Sequence, residues 1–154
     1  MLVAVDPFTA LLSVAALLAL AGAVGVAWRL RQGRARRAPG REVVEPARLG
    51  AVSLGEQATL LQFSTEMCSR CPGVHRTLAG IASTRDGVSH LDVDLTHRPD
   101  IARHFNVLQT PTTLLLDREG AIHTRFGGVP NRHVLELELA RLTGQPLSGE
   151  PTHA

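Results

Sequence analysis

Hydrophobic and polar positions divide the chain into three unlike parts. From Pro7 to Trp28 no side chain is charged. As a helix this run would span about 33 Å at ~1.5 Å per residue, enough for a hydrocarbon core of about 30 Å. Phe8 and Trp28 stand near its two ends, where aromatic rings favour the membrane interface. An Arg, Gly and Pro-bearing stretch follows, and beyond Leu49 the pattern becomes that of a folded domain. Leu60–Phe63 is a short apolar run and predicts a strand. Val74, Leu78 and Ile81 repeat at helical spacing and predict a helix from Pro72 to about Thr84, with the proline in its first turn. Val88, Leu91, Val93 and Leu95 predict a strand over 88–95. Ile101 and Phe105 share one side of a short helix over 99–105. Thr112–Leu116 predicts another strand, and Arg118-Glu119-Gly120 a turn that sends Ala121–Phe126 back as its hairpin partner. Leu135, Leu139 and Leu142, after Pro130-Asn131, predict a closing helix rather than the strand that Leu135–Leu139 alone would suggest. The order strand, helix, strand, helix, strand, strand, helix predicts an α/β domain with its sheet covered on both faces.

Charge changes the picture at one point. All sixteen basic residues are Arg, which excludes a Lys nucleophile or Schiff base. Arg29, Arg31, Arg34, Arg36, Arg37 and Arg41 crowd beside the apolar run, while the chain from Glu42 onward is near neutral. The pI near 9.0 therefore reflects a local cluster. A basic cluster flanking an apolar helix points to a membrane surface, not to nucleic acid. The N-terminal flank carries only Asp6 and the amino group, so the positive-inside rule places the C-terminal side in the cytoplasm. The alternatives are an uncleaved anchor with the domain outside, and a signal peptide cleaved near Ala21-Gly22-Ala23; the latter lacks a positive leading segment.

The two cysteines, Cys68 and Cys71, are too few and too close for a structural framework, since a loop this small gains little closure entropy. Their use is reactivity or metal binding. They fall where a strand ends and a helix begins. Unpaired N–H groups and partial positive charge at a helix start stabilise a thiolate at Cys68, and Arg70 adds to that field. The thiolate is the attacking species in disulfide exchange, and Cys71, one turn on, is placed to resolve the mixed disulfide. The competing reading is zinc held by Cys68, Cys71 and His75, one ligand short of a closed site. Pro111, just before an apolar strand, marks a turn or a cis bond.

The stretch from about Ala58 to Leu142 resembles the thioredoxin family. The resemblance rests on Cys68-Ser69-Arg70-Cys71, Val93-Asp94, Thr110-Pro111-Thr112, the hairpin with Glu119-Gly120, and Gly127-Gly128. It runs without a gap from His90 to Leu142. It implies that Pro111 is cis and faces the cysteines, and that the backbone of Thr110 pairs with a substrate chain. It also implies that Met67, Ser69 and Arg70 border the substrate. The departures are specific: Met67 replaces the usual Trp, Ser69-Arg70 replaces Gly-Pro, and Gln62 stands where the family has a buried acid that accepts a proton from the resolving cysteine.

The expectation is a thioredoxin-like fold, a central mixed sheet flanked by helices, preceded by one transmembrane helix. The boundaries are a short flank (1–6), the helix (7–28), an Arg-rich linker (29–48), the domain (49–143) and a flexible tail (144–154). The expected function is thiol–disulfide exchange with protein substrates through Cys68 and Cys71, renewed by a reductase or membrane redox partner, with no cofactor and no nucleic acid. The alternative is a non-catalytic module on the same fold, sensing redox state or binding metal, which Gln62 favours.

Overall fold

A computed structural model describes residues 6–31, 35–37, 42–51 and 53–145. Most of the expected flank and tail (1–5 and 146–154), parts of the expected linker (32–34 and 38–41) and the side chain of Trp28 lie outside the described residues. The elements are helix α1 (Pro7–Arg31), strand β1 (Ala35–Arg37), a 3-10 turn (Pro46–Leu49), β2 (Ala58–Ser64), α2 (Cys71–Ser83), β3 (Val88–Asp94), α3 (Pro99–His104), β4 (Thr112–Asp117), β5 (Ile122–Gly127) and α4 (Arg132–Thr143). The chain separates into two units, one holding α1 and one holding the rest.

In the first unit, Pro7–Ala27 is long and apolar enough to cross a membrane, a character that signal sequences share.

In the second unit the strands lie in the order β1-β5-β4-β2-β3. The β2 and β3 pair is parallel; β2 with β4, β4 with β5, and β5 with β1 are antiparallel. The sheet is therefore mixed. Alternation along β2 sends its side chains to opposite faces, as the pleat requires. Leu61 and Phe63 join Val93, Leu95, Ile101, Phe105 and Leu114 beneath α3. Ala58 and Leu60 join Val74, Leu78, Ile81, Leu135 and Leu139 beneath α2 and α4. Phe63 and Phe105, 5.4 Å between ring centres, anchor the α3 side directly below the strand end that carries the cysteines. Helix α4 starts where Asn131 accepts a hydrogen bond from the Val134 N–H at 3.2 Å, a capping arrangement that favours helix over strand for 132–143.

The linker expected over 29–48 is not all linker. Ala35–Arg37 pairs with Thr124–Phe126, Val43 bridges Ala121, and the Val44 N–H donates to the Gly120 carbonyl at 2.8 Å. Val44 and Leu49 are buried in the α3-side core. An edge strand keeps one row of backbone groups and some of its side chains in solvent, so arginines are tolerated there. Sequence pattern reads such a strand as a charged tether.

Candidate active site

Strand β2 ends at Ser64 and α2 begins at Cys71, with the turn Thr65–Arg70 between them. The turn is closed by the Cys68 N–H donating to the Thr65 carbonyl at 3.0 Å and the Cys71 N–H donating to the Cys68 carbonyl at 3.2 Å. Pro72 sits in the first turn of α2, where its missing N–H leaves no helical bond unmade. Cys68 and Cys71 are joined in a disulfide, their Cα atoms 5.5 Å apart. Cys68 is partly exposed; Cys71 is 4% exposed. This asymmetry gives an incoming group access to one sulfur and shields the other.

The bond between Thr110 and Pro111 is cis, as the resemblance implied. Thr110 is tied to the cysteine turn: its Oγ1 lies 3.1 Å from the Thr65 Oγ1. The Pro111 carbonyl accepts from the Gly128 N–H at 2.8 Å, which fixes the Gly127-Gly128 turn to the same neighbourhood. Gly128 has φ +82°, a conformation a side chain would strain, so glycine is needed there. Three apolar side chains stand out in solvent from these segments: Met67 (93% exposed), Leu108 (87%) and Val129 (45%).

Below the disulfide, Gln62 is fully buried. Its Nε2 donates to the Cys71 carbonyl at 3.2 Å, and its Oε1 has no hydrogen-bond partner among the described residues. An amide cannot take a thiol proton at physiological pH. His75, the third ligand of the zinc alternative, is engaged elsewhere. Its Nδ1 lies 3.0 Å from Asp92 Oδ2, and its ring meets that of His90 edge-on at 4.7 Å. Asp92 also accepts from the Ser64 hydroxyl at 2.7 Å. Among the described residues no group of three or more His, Cys, Asp or Glu is arranged to hold a metal.

Sequence pattern singled out Cys68 and Cys71, and the family resemblance implied that Thr110 and Pro111 face them. It missed Thr65, because nothing in the sequence pairs position 65 with position 110. It also missed the edge cluster of Ser64, His75, His90 and Asp92, which exists only once β3 pairs with β2 in register.

The thioredoxin family pattern matches residues 50–140. The chain belongs to the thioredoxin family. A curated relative, thioredoxin H2 of Arabidopsis thaliana, is 26% identical over 83 residues, covering 54% of this chain and 61% of that protein. The chain thus spans about three fifths of that relative's length. Two solved structures share the fold. A mutant thioredoxin from Halobacterium salinarum NRC-1 gives a TM-score of 0.52 at 15% identity, over 59% of this chain and 79% of that one. Mitochondrial thioredoxin 3 from Saccharomyces cerevisiae, in its oxidized form, gives 0.50 at 23% identity, over 56% and 80%. At these identities the likeness concerns architecture, and the chemistry rests on the residues themselves.

His90 provides a stability test of the edge cluster. Burial, reinforced by the neighbouring charge of His75, holds its pKa below the ordinary 6.5, against the pull of Asp92. The folded state therefore binds this proton less readily than the unfolded chain. The stabilisation is fully present above pH ~6.5 and is lost as pH falls from there toward the lowered folded value. Thermal unfolding between pH 5 and 7.5 should show a midpoint that rises with pH, and His90→Gln should flatten that rise. An unchanged slope in the variant would assign it to other groups.

Proposed function

We propose that this chain is a thiol–disulfide oxidoreductase that reduces disulfides in protein substrates close to a membrane. The observation that carries the reading is the Cys68–Cys71 disulfide at the start of α2, in a thioredoxin-family domain and with Cys68 the more exposed sulfur.

In the reduced protein, the Cys68 thiolate attacks one sulfur of a substrate disulfide. A Cys68–substrate bond forms, the substrate S–S bond breaks, and one substrate thiolate leaves and takes up a proton. Cys71 then loses its proton and attacks the Cys68 sulfur. The Cys68–Cys71 bond forms and the second substrate thiol departs. The substrate has gained two electrons and two protons, and the protein has lost them. A dithiol reductant or a redox partner returns the protein to its reduced form by the reverse exchange. The field at the start of α2, with Arg70 beside it, favours the thiolate at Cys68. The Thr65–Thr110 contact holds the cis-proline segment against the cysteine turn, so that the Thr110 backbone is presented to a substrate chain.

The apolar helix and the adjoining arginines support anchoring, with the domain on the cytoplasmic side. Labelling of intact cells with a membrane-impermeant thiol reagent should leave Cys68 unmodified until the membrane is opened. Ready labelling in intact cells would move the domain to the outer side. A second reading, a redox switch without turnover, is favoured by Gln62, whose amide leaves Cys71 without a proton acceptor at that position. Insulin with dithiothreitol separates the two: the oxidoreductase precipitates insulin with repeated turnover, whereas a switch does not.

A further inference from the structure

Beside the disulfide lies a groove of about 320 Å³ between the start of α2 and the Val129-Pro130 segment. Arg70 and Arg76 line it, with Ser69 and Thr77, and Val129 and Pro130 form its opposite wall. Neither guanidinium group makes a hydrogen bond or ion pair with a described residue, and no acidic side chain lines the groove among the described residues. Most other described arginines near the folded surface have an acidic or carbonyl partner, as Arg98, Arg118, Arg132 and Arg141 do. Two uncompensated guanidinium groups in one concave surface set up a positive potential at the place where a substrate must approach Cys68.

We propose that this groove selects substrates that carry acidic residues next to the target disulfide. The inference rests on the oxidoreductase reading and gives it a substrate class. Three features commit the occupant to a polypeptide. The groove includes Ser69 and Arg70, which lie between the two cysteines, so its occupant must also bring a sulfur to Cys68. Val129 and Pro130 offer an apolar wall for aliphatic side-chain stems. Ser69 offers its hydroxyl to a backbone, and the Thr77 hydroxyl, which donates to the Gly73 carbonyl at 3.1 Å, keeps its lone pairs for a backbone N–H. A free anion uses only the charge. Guanidinium forks match carboxylates in bidentate geometry, so acidic side chains complete the fit.

The test uses the reduced full chain and two synthetic probes. One is the disulfide-linked dimer of a short peptide with Glu on both sides of its cysteine; the other has Gln at those positions. The acidic dimer should be reduced with a kcat/KM about 10-fold higher at low ionic strength, and the ratio should fall toward one near ~0.5 M salt as screening sets in. Arg76→Gln should bring the acidic-to-neutral ratio toward one, and Arg76→Lys should restore part of it. Arg76 is exposed and lies outside the Cys68–Cys71 turn, so the variants keep the fold and the ratio isolates charge. Equal rates for the two dimers with the wild-type chain overturn this inference and leave the oxidoreductase reading intact. A preference that survives the paired change of Arg70 and Arg76 to Gln also overturns it, because the charge recognition then sits outside the groove. Turnover of neither dimer overturns the oxidoreductase reading and this inference together.

Discussion

Cys68→Ser should lower dithiothreitol-driven insulin reduction by at least about 100-fold, to the rate of dithiothreitol alone, because a hydroxyl at this position is not ionised near neutral pH and cannot form the covalent intermediate. The loss should come without unfolding. The disulfide closes a loop too short to restrict the unfolded chain much, so its removal has little entropic effect. Circular dichroism and the unfolding midpoint should therefore stay near those of the wild-type chain. Cys71→Ser should behave differently. Cys68 can still attack, but nothing displaces the substrate, so the variant should accumulate as a covalent adduct that dithiothreitol releases. Non-reducing electrophoresis distinguishes the two variants directly. If Cys68→Ser retained wild-type turnover while Cys71→Ser lost it, the roles of the two sulfurs would be reversed, and the exposure difference between them would have no mechanistic weight.

The sequence made the centre of this molecule legible for definite physical reasons. β2 and β4 are buried on both faces, which leaves continuous apolar runs at Leu60–Phe63 and Thr112–Leu116, and α2 buries one face, which leaves the helical period of Val74, Leu78 and Ile81. The cysteine pair was legible because its chemistry depends on a local spacing along one helix start. Strand β1 was not legible, because an edge strand rich in arginine is held by backbone bonds to β5 and leaves no periodic signature. The Thr65–Thr110 contact, the groove between Arg76 and Val129, and the cluster of His75, His90 and Asp92 were not legible either. Each joins residues far apart in sequence, and each depends on strand register or on where a turn falls. Gln62 lies between these cases. Its position beneath Cys71 was inferred from the family resemblance. Only the structure adds that its amide nitrogen bonds the Cys71 carbonyl while its oxygen is buried without a partner among the described residues.

That unpartnered oxygen leads to the second large effect. Gln62→Glu should speed resolution of the mixed disulfide by about 100-fold, the low end of what a positioned general base contributes. Glutamate is nearly the same shape as glutamine and adds a group that can take the Cys71 proton as that sulfur attacks Cys68. Complete burial of position 62 would raise the carboxyl pKa above its ordinary value, which moves a weak base toward the pH at which it must work. The same burial should destabilise the fold, with a definite sign. A carboxyl whose folded pKa is raised binds its proton more readily in the folded state, so the variant should lose stability as pH rises above ~4.3, with the full loss reached beyond the raised folded value. Rapid quenching with N-ethylmaleimide, followed by counting of the trapped adduct, measures the resolving step; unfolding at pH 5 and pH 8 measures the cost. Gln62→Met is the control, since it keeps the volume and supplies no base. Equal resolving rates in all three proteins would mean that water or another group already receives the Cys71 proton, and that Gln62 does not limit this chain to slow release of its substrate.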